Sequence, residues 1–532
     1  MKTVAKYLLE SLASYGVDTV FGIPGVHTIE LYRSLPNSGI RHVTPRHEQG
    51  AGFMADGYAR ASGRVGVCFV ITGPGLTNTL TAMAQAYADS VPMLVISGVN
   101  ARGNMNSGMG WLHELPNQQA LAREVSAFSQ TVLTPDDLPA ALSRAFAIFK
   151  SARPRPVHIE IPLDIMPADA SHLPQLSADA LPGQPVADKA TMMRAAEWLD
   201  QAKAPLILAG GGAVEAGPEL RALAESLTAP VVMTVNARGV LPPDHPLGVS
   251  ASISMQPVRD LLAKADVVLA VGTECGPTDY DMYGIGYPVV NGNLIRLDID
   301  PEQAMRGLRP DLVLIGGAKP SLAALGDLVA GGNKPALSAG AVGKDAQAAL
   351  PDILRVGARF VDAIRDALPD VTIVGDSTQP VYGAQLDFIA NAPRKFFCSA
   401  SGYGTLGYAL PAASGASLAV KGPVVALIGD GGIQFTLPEL AVARELDLPV
   451  IIVLWNNTGY REIKTSMIDA GVPPEGVDIF TPDFQKIAEG YGCAKHQLTS
   501  MADLPALLQE AAQRQGPTLI EVNEAIVLRD LG

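Results

Sequence analysis

Short apolar runs broken by glycine, proline or asparagine recur along the chain and alternate with stretches of helical period. Val17–Phe21, Ile40–Thr44, Val65–Ile71 and Pro92–Ser97 read as buried strands, and Val4–Tyr15, His27–Leu35 and Arg46–Arg60 as helices between them. The runs are continuously apolar, as in parallel sheets covered on both faces. The pattern returns twice. Helix Met192–Gln201 precedes strands Pro205–Ala209, Pro230–Val235, Asp266–Gly272 and Leu294–Asp300. Helix Val356–Leu368 precedes strands Val371–Gly375, Pro423–Gly429 and Pro449–Trp455. Pro167–Lys189, rich in Pro, Ala, Ser and Asp, and Gly331–Leu350, rich in Gly, Ala and Lys, read as linkers. Three α/β units follow: residues 1–167, 190–330 and 350–532.

The length of 532 residues exceeds what one core supports and agrees with about three domains. Apolar residues make up 48% and charged residues 17%, a balance suited to large buried sheets and extensive subunit contacts. The formal charge of −14 argues against a nucleic-acid or anionic-membrane surface. Cys68, Cys275, Cys398 and Cys493 have no paired spacing, so neither a disulfide framework nor a zinc site is indicated. The first residues lead into an amphipathic helix without a signal-peptide pattern. No apolar run approaches the roughly 20 residues of a membrane span. A cytoplasmic soluble protein is expected, with no nucleic-acid or membrane partner.

Candidate chemistry begins where Pro423–Gly429 ends in GDGG, with Asp430 among Gly429, Gly431 and Gly432. A helical stretch follows, with Thr436 and Glu439 at capping-box spacing and Pro438 in its first turn. The next strand ends in Asn456, Asn457, Thr458 and Gly459. This βαβ unit puts Asp430 and Asn457 at the carboxyl ends of neighbouring parallel strands, where open α/β sheets bind ligands. Mg²⁺ takes hard oxygen ligands from protein, phosphate and water, and a glycine turn at a helix start leaves N–H groups for phosphate. GDG alone is a turn and Asn-Asn alone a strand end; together they point to a diphosphate held through a metal.

Glu48 opens a helix heavy in Gly and Ala, directly after a strand. A carboxylate there suits the helix dipole, and the small residues let another backbone come close. Thr72–Asn78 is a Gly/Pro turn into a further helix. Gly108–Asn117 is a glycine-rich loop carrying His113, and His27 follows the Gly22–Gly25 turn. Either histidine reads as structural or as a group titrating near neutral pH. The Gly210–Gly212 turn lacks a complete G-x-G-x-x-G.

The GDG and Asn-Asn stretch resembles the thiamine-diphosphate motif of the decarboxylase and acetohydroxyacid synthase superfamily. RHEQGAGFMADGYAR resembles that family's segment bearing the cofactor-activating glutamate, and the likeness extends over the whole chain. It implies three α/β domains, each an open, mainly parallel sheet with helices on both faces, the first and third binding thiamine diphosphate. It places Mg²⁺ on Asp430, Asn457 and the Gly459 carbonyl, with Gly431, Gly432, Tyr460, Thr378 and Gln379 at the diphosphate. Glu48 falls on the activating acid, in a pocket expected to desolvate its carboxyl. Pro24, Pro74 and Asn78 fall beside the pyrimidine. Leu406 falls on the residue that bends the cofactor, and the Gly404 carbonyl on its N4′ partner. His113 stands where the synthases carry glutamine, and His27 is a second candidate facing the substrate. The segment after Tyr460 lacks the synthases' tryptophan, and HELPNQ resembles proteins assigned as 5-guanidino-2-oxopentanoate decarboxylases. The resemblance therefore implies decarboxylation of a 2-oxo acid through an enamine, with acetolactate-forming carboligation as the alternative. A homodimer or homotetramer with sites between chains is implied. FAD in the central unit is the less favoured expectation.

Overall fold

The structure, a computed structural model, describes residues 2–332 and 337–532. Eighteen strands among these residues form three six-stranded sheets in which every pairing is parallel. The first holds β1 (Thr19–Gly22), β2 (Arg41–Val43), β3 (Gly66–Val70), β4 (Met93–Val99), β5 (Phe128–Thr131) and β6 (Val157–Pro162), in the order 2-1-3-4-6-5. The second holds β7 (Pro205–Ala209), β8 (Val231–Met233), β9 (Gly248–Val249), β10 (Val267–Val271), β11 (Asn293–Asp298) and β12 (Leu312–Ile315), in the order 12-11-10-7-8-9. The third holds β13 (Thr372–Gly375), β14 (Phe396–Cys398), β15 (Val424–Gly429), β16 (Val450–Asn456), β17 (Ala494–Gln497) and β18 (Thr518–Asn523), in the order 14-13-15-16-18-17. The third sheet thus repeats the order of the first. The second has the two-halved order of dinucleotide-binding sheets.

The strands are apolar on both sides because both faces are covered. Val67 and Phe69 of β3 enter one apolar cluster, and Cys68 and Val70 the cluster across the sheet. In the third sheet Val425 and Leu427 face one cluster, and Val424, Ala426 and Ile428 the other. The expected parallel architecture is therefore present in all three units.

One expectation fails. Gly331–Leu350 is not a linker throughout: Ala339–Ala349 is an α-helix whose Ser338 side chain accepts the Ala341 N–H at 3.4 Å. Ala339 and Ala346 are buried in the second unit's apolar cluster. Alanine, read there as a sign of flexibility, is the strongest helix former. Residues 333–336 of that stretch lie outside the described residues. The other expected linker holds a short 3₁₀ turn, Ala178–Ala180, and a single bridge from Asp169 to Thr3, and its last residue, Lys189, opens a helix.

The first and third units meet along two helices, Glu48–Ser62 and Ala409–Ser417. Residues Gly50 to Ala61 are all buried. A Cβ on Gly57 would lie 2.0 Å from the Ala412 carbonyl oxygen, and one on Gly415 would lie 1.9 Å from that of Met54. The small residues of the Glu48 helix therefore serve a close crossing within this chain.

Candidate active site

β15 ends at Gly429, and Asp430 opens the one-turn helix Asp430–Ile433 with Gly431 and Gly432 buried beside it. The Asp430 side chain is 1% exposed. It accepts the Gly459 N–H at 2.9 Å, the Asn457 N–H at 3.4 Å and the Thr481 hydroxyl at 3.3 Å. Burial outweighs these bonds and raises its pKa, so the carboxylate gains from any cation brought to it. The Asn457 side-chain nitrogen donates to Glu524 at 3.1 Å, which turns its oxygen the other way. Gly459 has φ +131, and Tyr460 packs against Gly431, where a Cβ would lie 2.7 Å from the Tyr460 ring.

Thr378 and Gln379, at the end of β13, are both 7% exposed. Gln379 donates to Glu462 at 2.7 Å, and its own oxygen is buried without a partner. Next to them Asp376, fully buried and raised to about 6 by burial, accepts the N–H groups of Ser377, Gly407 and Ala409. It thereby fixes the loop carrying Gly404, at φ +77, and the half-buried Leu406. A buried anion, open glycine backbone and an orphaned amide oxygen fit a metal–diphosphate group.

The other predicted residues gather beyond the carboxyl ends of β1, β2, β3 and β4. Glu48 is the first residue of its helix and accepts the Asn78 amide at 2.9 Å. Its side chain is only half-buried by this chain, so the expected desolvation has to come from whatever covers it. Pro74 is the first residue of helix Pro74–Ala88, and Pro24 is exposed. His27 is 7% exposed, with Nδ1 buried and unpartnered. Its ring meets that of His113 edge-on at 5.2 Å. Burial, then the nearby His113, lower the His27 pKa, so His27 is neutral near pH 7. His113 holds a left-handed φ of 61 in a loop tied by Glu114, which accepts from Ser107, Gly108, Gly110 and Trp111.

The two groups of predicted residues are brought together internally but not with each other. Among the described residues no hydrogen bond joins Glu48, Asn78, His27 or His113 to Asp430, Asn457, Gln379 or Tyr460.

The expected capping box does not form. Thr436 donates to the Gly407 carbonyl at 2.8 Å, and Glu439 reaches the first unit instead. There its carboxylate accepts the backbone N–H groups of Arg46 and His47 at 3.1 Å, just ahead of Glu48. Its fixed spacing from Thr436 masked this role, because local capping and distant capping call for the same residue.

A cavity of about 500 Å³ lies among the three units. Its arginines are all paired: Arg60 with Asp56 and Asp89, Arg153 with Glu274, and Arg394 with Glu215. FAD is not indicated by the residues lining this cavity.

Comparisons with known proteins agree with this three-unit fold. The N-terminal binding domain of the thiamine pyrophosphate enzymes matches residues 2–121, their central domain 192–325 and their C-terminal binding domain 374–522. A Pseudomonas aeruginosa protein named "Probable 2-ketoarginine decarboxylase" is 46% identical over 98% of this chain and 94% of its own length. Acetolactate synthase isozyme 3 large subunit of Escherichia coli is 31% identical over 97% of this chain and 93% of its own. A solved Mycobacterium smegmatis structure, described as thiamin diphosphate-dependent, superposes with a TM-score of 0.83 at 25% identity, covering 98% of this chain and 99% of that one. Two binding domains flanking a central one, and a relative nearly half identical end to end, make this chain a member of the thiamine pyrophosphate enzyme family.

Proposed function

We propose that the protein decarboxylates a 2-oxo acid with thiamine diphosphate and Mg²⁺, and that the acid is 5-guanidino-2-oxopentanoate. The observation carrying this reading is the buried Asp430 carboxylate, held at a strand end by the Gly459 and Asn457 backbone N–H groups. The substrate comes from the 46% identical relative, whose name specifies 2-ketoarginine, the same compound.

Asp430, the Asn457 oxygen and the Gly459 carbonyl hold the metal. Gly431, Gly432, Tyr460, Thr378 and Gln379 line the diphosphate, while Pro24, Pro74, Asn78, Gly404 and Leu406 position the rings. When bound, the cofactor supplies an electron sink for the pair left as CO₂ departs. Glu48 holds a proton at the aminopyrimidine nitrogen, and Asn78 fixes which way that carboxyl faces. Neutral His27 orients the substrate carboxylate by hydrogen bonding, and His113 delivers the proton that replaces CO₂. The three domains span 1–167, 190–330 and 350–532, with helix Ala339–Ala349 packed on the second. Because Glu48 and Asp430 sit in separately organised groups, the site is completed between chains of a homodimer or homotetramer. No helix among the described residues is long and apolar enough to cross a membrane, and we place the enzyme in the cytoplasm.

Acetolactate-forming carboligation is the second reading, favoured by the synthases at 31% identity. Product analysis separates the two. With thiamine diphosphate and Mg²⁺, CO₂ and 4-guanidinobutanal from the guanidino acid, with little acetolactate from pyruvate, are expected. Acetolactate as the main product from pyruvate would establish the second reading, and no CO₂ from any 2-oxo acid would end both.

A further inference from the structure

Gln118 is 3% exposed and makes none of the contacts named so far. Its oxygen accepts the Gly73 N–H at 2.8 Å. Its nitrogen lies 2.9 Å from the Gly98 carbonyl, 2.9 Å from Glu160 and 3.2 Å from the Ser97 hydroxyl. The Gly73 N–H fixes the amide orientation, since only the oxygen accepts.

The two backbone groups bridged by this amide belong to the two glycines beneath the histidine pair. A Cβ on Gly73, at φ +67, would lie 2.5 Å from the His113 carbonyl and 3.1 Å from the His113 Cβ. A Cβ on Gly98 would lie 2.9 Å from the His27 carbonyl and 3.4 Å from the His27 Cβ. His113 therefore rests on Gly73 and His27 on Gly98, and one side chain spans both supports. Below it, Glu160 also accepts the Thr131 hydroxyl at 2.6 Å, and Ser97 bonds His158 at 2.8 Å. Each of these partners is committed elsewhere, so the amide cannot shift without leaving buried polar groups unpaired.

We propose that Gln118 is a positioning residue that sets the spacing of His27 and His113. The proposal rests on the assignment of those histidines to the reaction. It explains why a buried primary amide, which can donate and accept at once, stands at the start of the short helix Gln118–Arg123.

The test is a double-mutant cycle on the holoenzyme. Gln118→Met keeps the volume and removes the amide's bonds to Gly73, Gly98, Glu160 and Ser97. It is expected to lower kcat about tenfold while thiamine diphosphate affinity stays within about twofold, because the diphosphate site is built on another sheet. In a His113→Ala background the same change is expected to cost nothing further. Equal losses in both backgrounds, or none in either, overturn the proposal. If Gln118→Met does not fold, Glu160→Gln perturbs the same amide from below, and its cycle with His113→Ala is read identically. Unchanged turnover in both His27→Ala and His113→Ala would instead remove the parent assignment, leaving the fold of the loop untouched.

Discussion

Glu439 and His47 are 392 positions apart, yet the Glu439 carboxylate accepts the His47 backbone N–H at 3.1 Å. The bond ties the third unit to the residue preceding Glu48. Glu439 is 1% exposed, and a Cβ on Gly50 would lie 2.2 Å from its oxygen, so only glycine admits it there.

Burial raises Glu439 from 4.5 to about 7, against the opposing pull of the Arg46 and His47 N–H groups. The folded protein thus holds this proton more tightly than the unfolded chain. Its contribution is complete below about pH 4.5 and is lost as pH rises through about 7, amounting to about 3 kcal/mol. Glu439→Gln removes the titration. Thermal melting of the variant at pH 5 and pH 8 should differ less than in the wild type; an identical pH dependence would show that Glu439 does not titrate in this window.

Glu48→Gln keeps an acceptor for Asn78 but removes the ionisable proton. Thiamine diphosphate binding should persist while turnover falls by about 10²–10⁴-fold, the usual worth of a positioned acid or base. Asn78→Ala leaves the carboxyl intact and loses only its orientation, so a smaller fall is expected. Steady-state kinetics with parallel cofactor titrations check both, and wild-type turnover in Glu48→Gln would sink the catalytic assignment.

Asp430→Asn removes the anion from the proposed metal site with little change in shape. Mg²⁺-dependent thiamine diphosphate affinity should drop by about 100-fold or more. Trp455 offers a reporter: its indole N–H and the Asn457 amide share the Glu524 carboxylate, each at 3.1 Å. Loading the wild type should therefore change tryptophan fluorescence, and chelation should reverse the change. A wild-type binding curve for Asp430→Asn would place the metal elsewhere.

What could be read in the sequence was what short range dictates. Asp430 and Asn457 share one strand–helix–strand, so their placement needed only the direction of two parallel strands. Glu48 by itself read equally well as a helix-dipole carboxylate and was singled out by the likeness of its segment to the family's; what the small residues behind it foretold was the close crossing. Of the failures, the helix Ala339–Ala349 is a local misreading of alanine, and the others are long-range. Glu439 looked like a local cap, Ala339–Ala349 looked like a tether, and Gln118 carried no signal, since its partners Gly73, Gly98 and Glu160 come from three separate segments. Composition reports how much surface a segment can bury, but not which distant backbone group lacks a partner.

Gly57 and Gly415 supply the remaining prediction. Each faces the other helix's backbone: Gly57 the Ala412 carbonyl, and Gly415 that of Met54. Neither glycine has positive φ, so alanine would suit both helices intrinsically and improve their propensity by about 1 kcal/mol. The contact reverses that sign, because approaches of 2.0 and 1.9 Å to backbone atoms can be relieved only by parting the helices. Overpacking of this kind costs about 1–3 kcal/mol, so Gly57→Ala and Gly415→Ala should each destabilise. Because both force the same separation, the double variant should lose less than the sum. The crossing also carries Glu48 at one helix start and follows the Gly404–Leu406 loop at the other, so turnover should fall in either variant before the protein unfolds. Chemical denaturation of the two single variants and the double measures all three stabilities; a stabilised Gly57→Ala would mean that the helices can part freely.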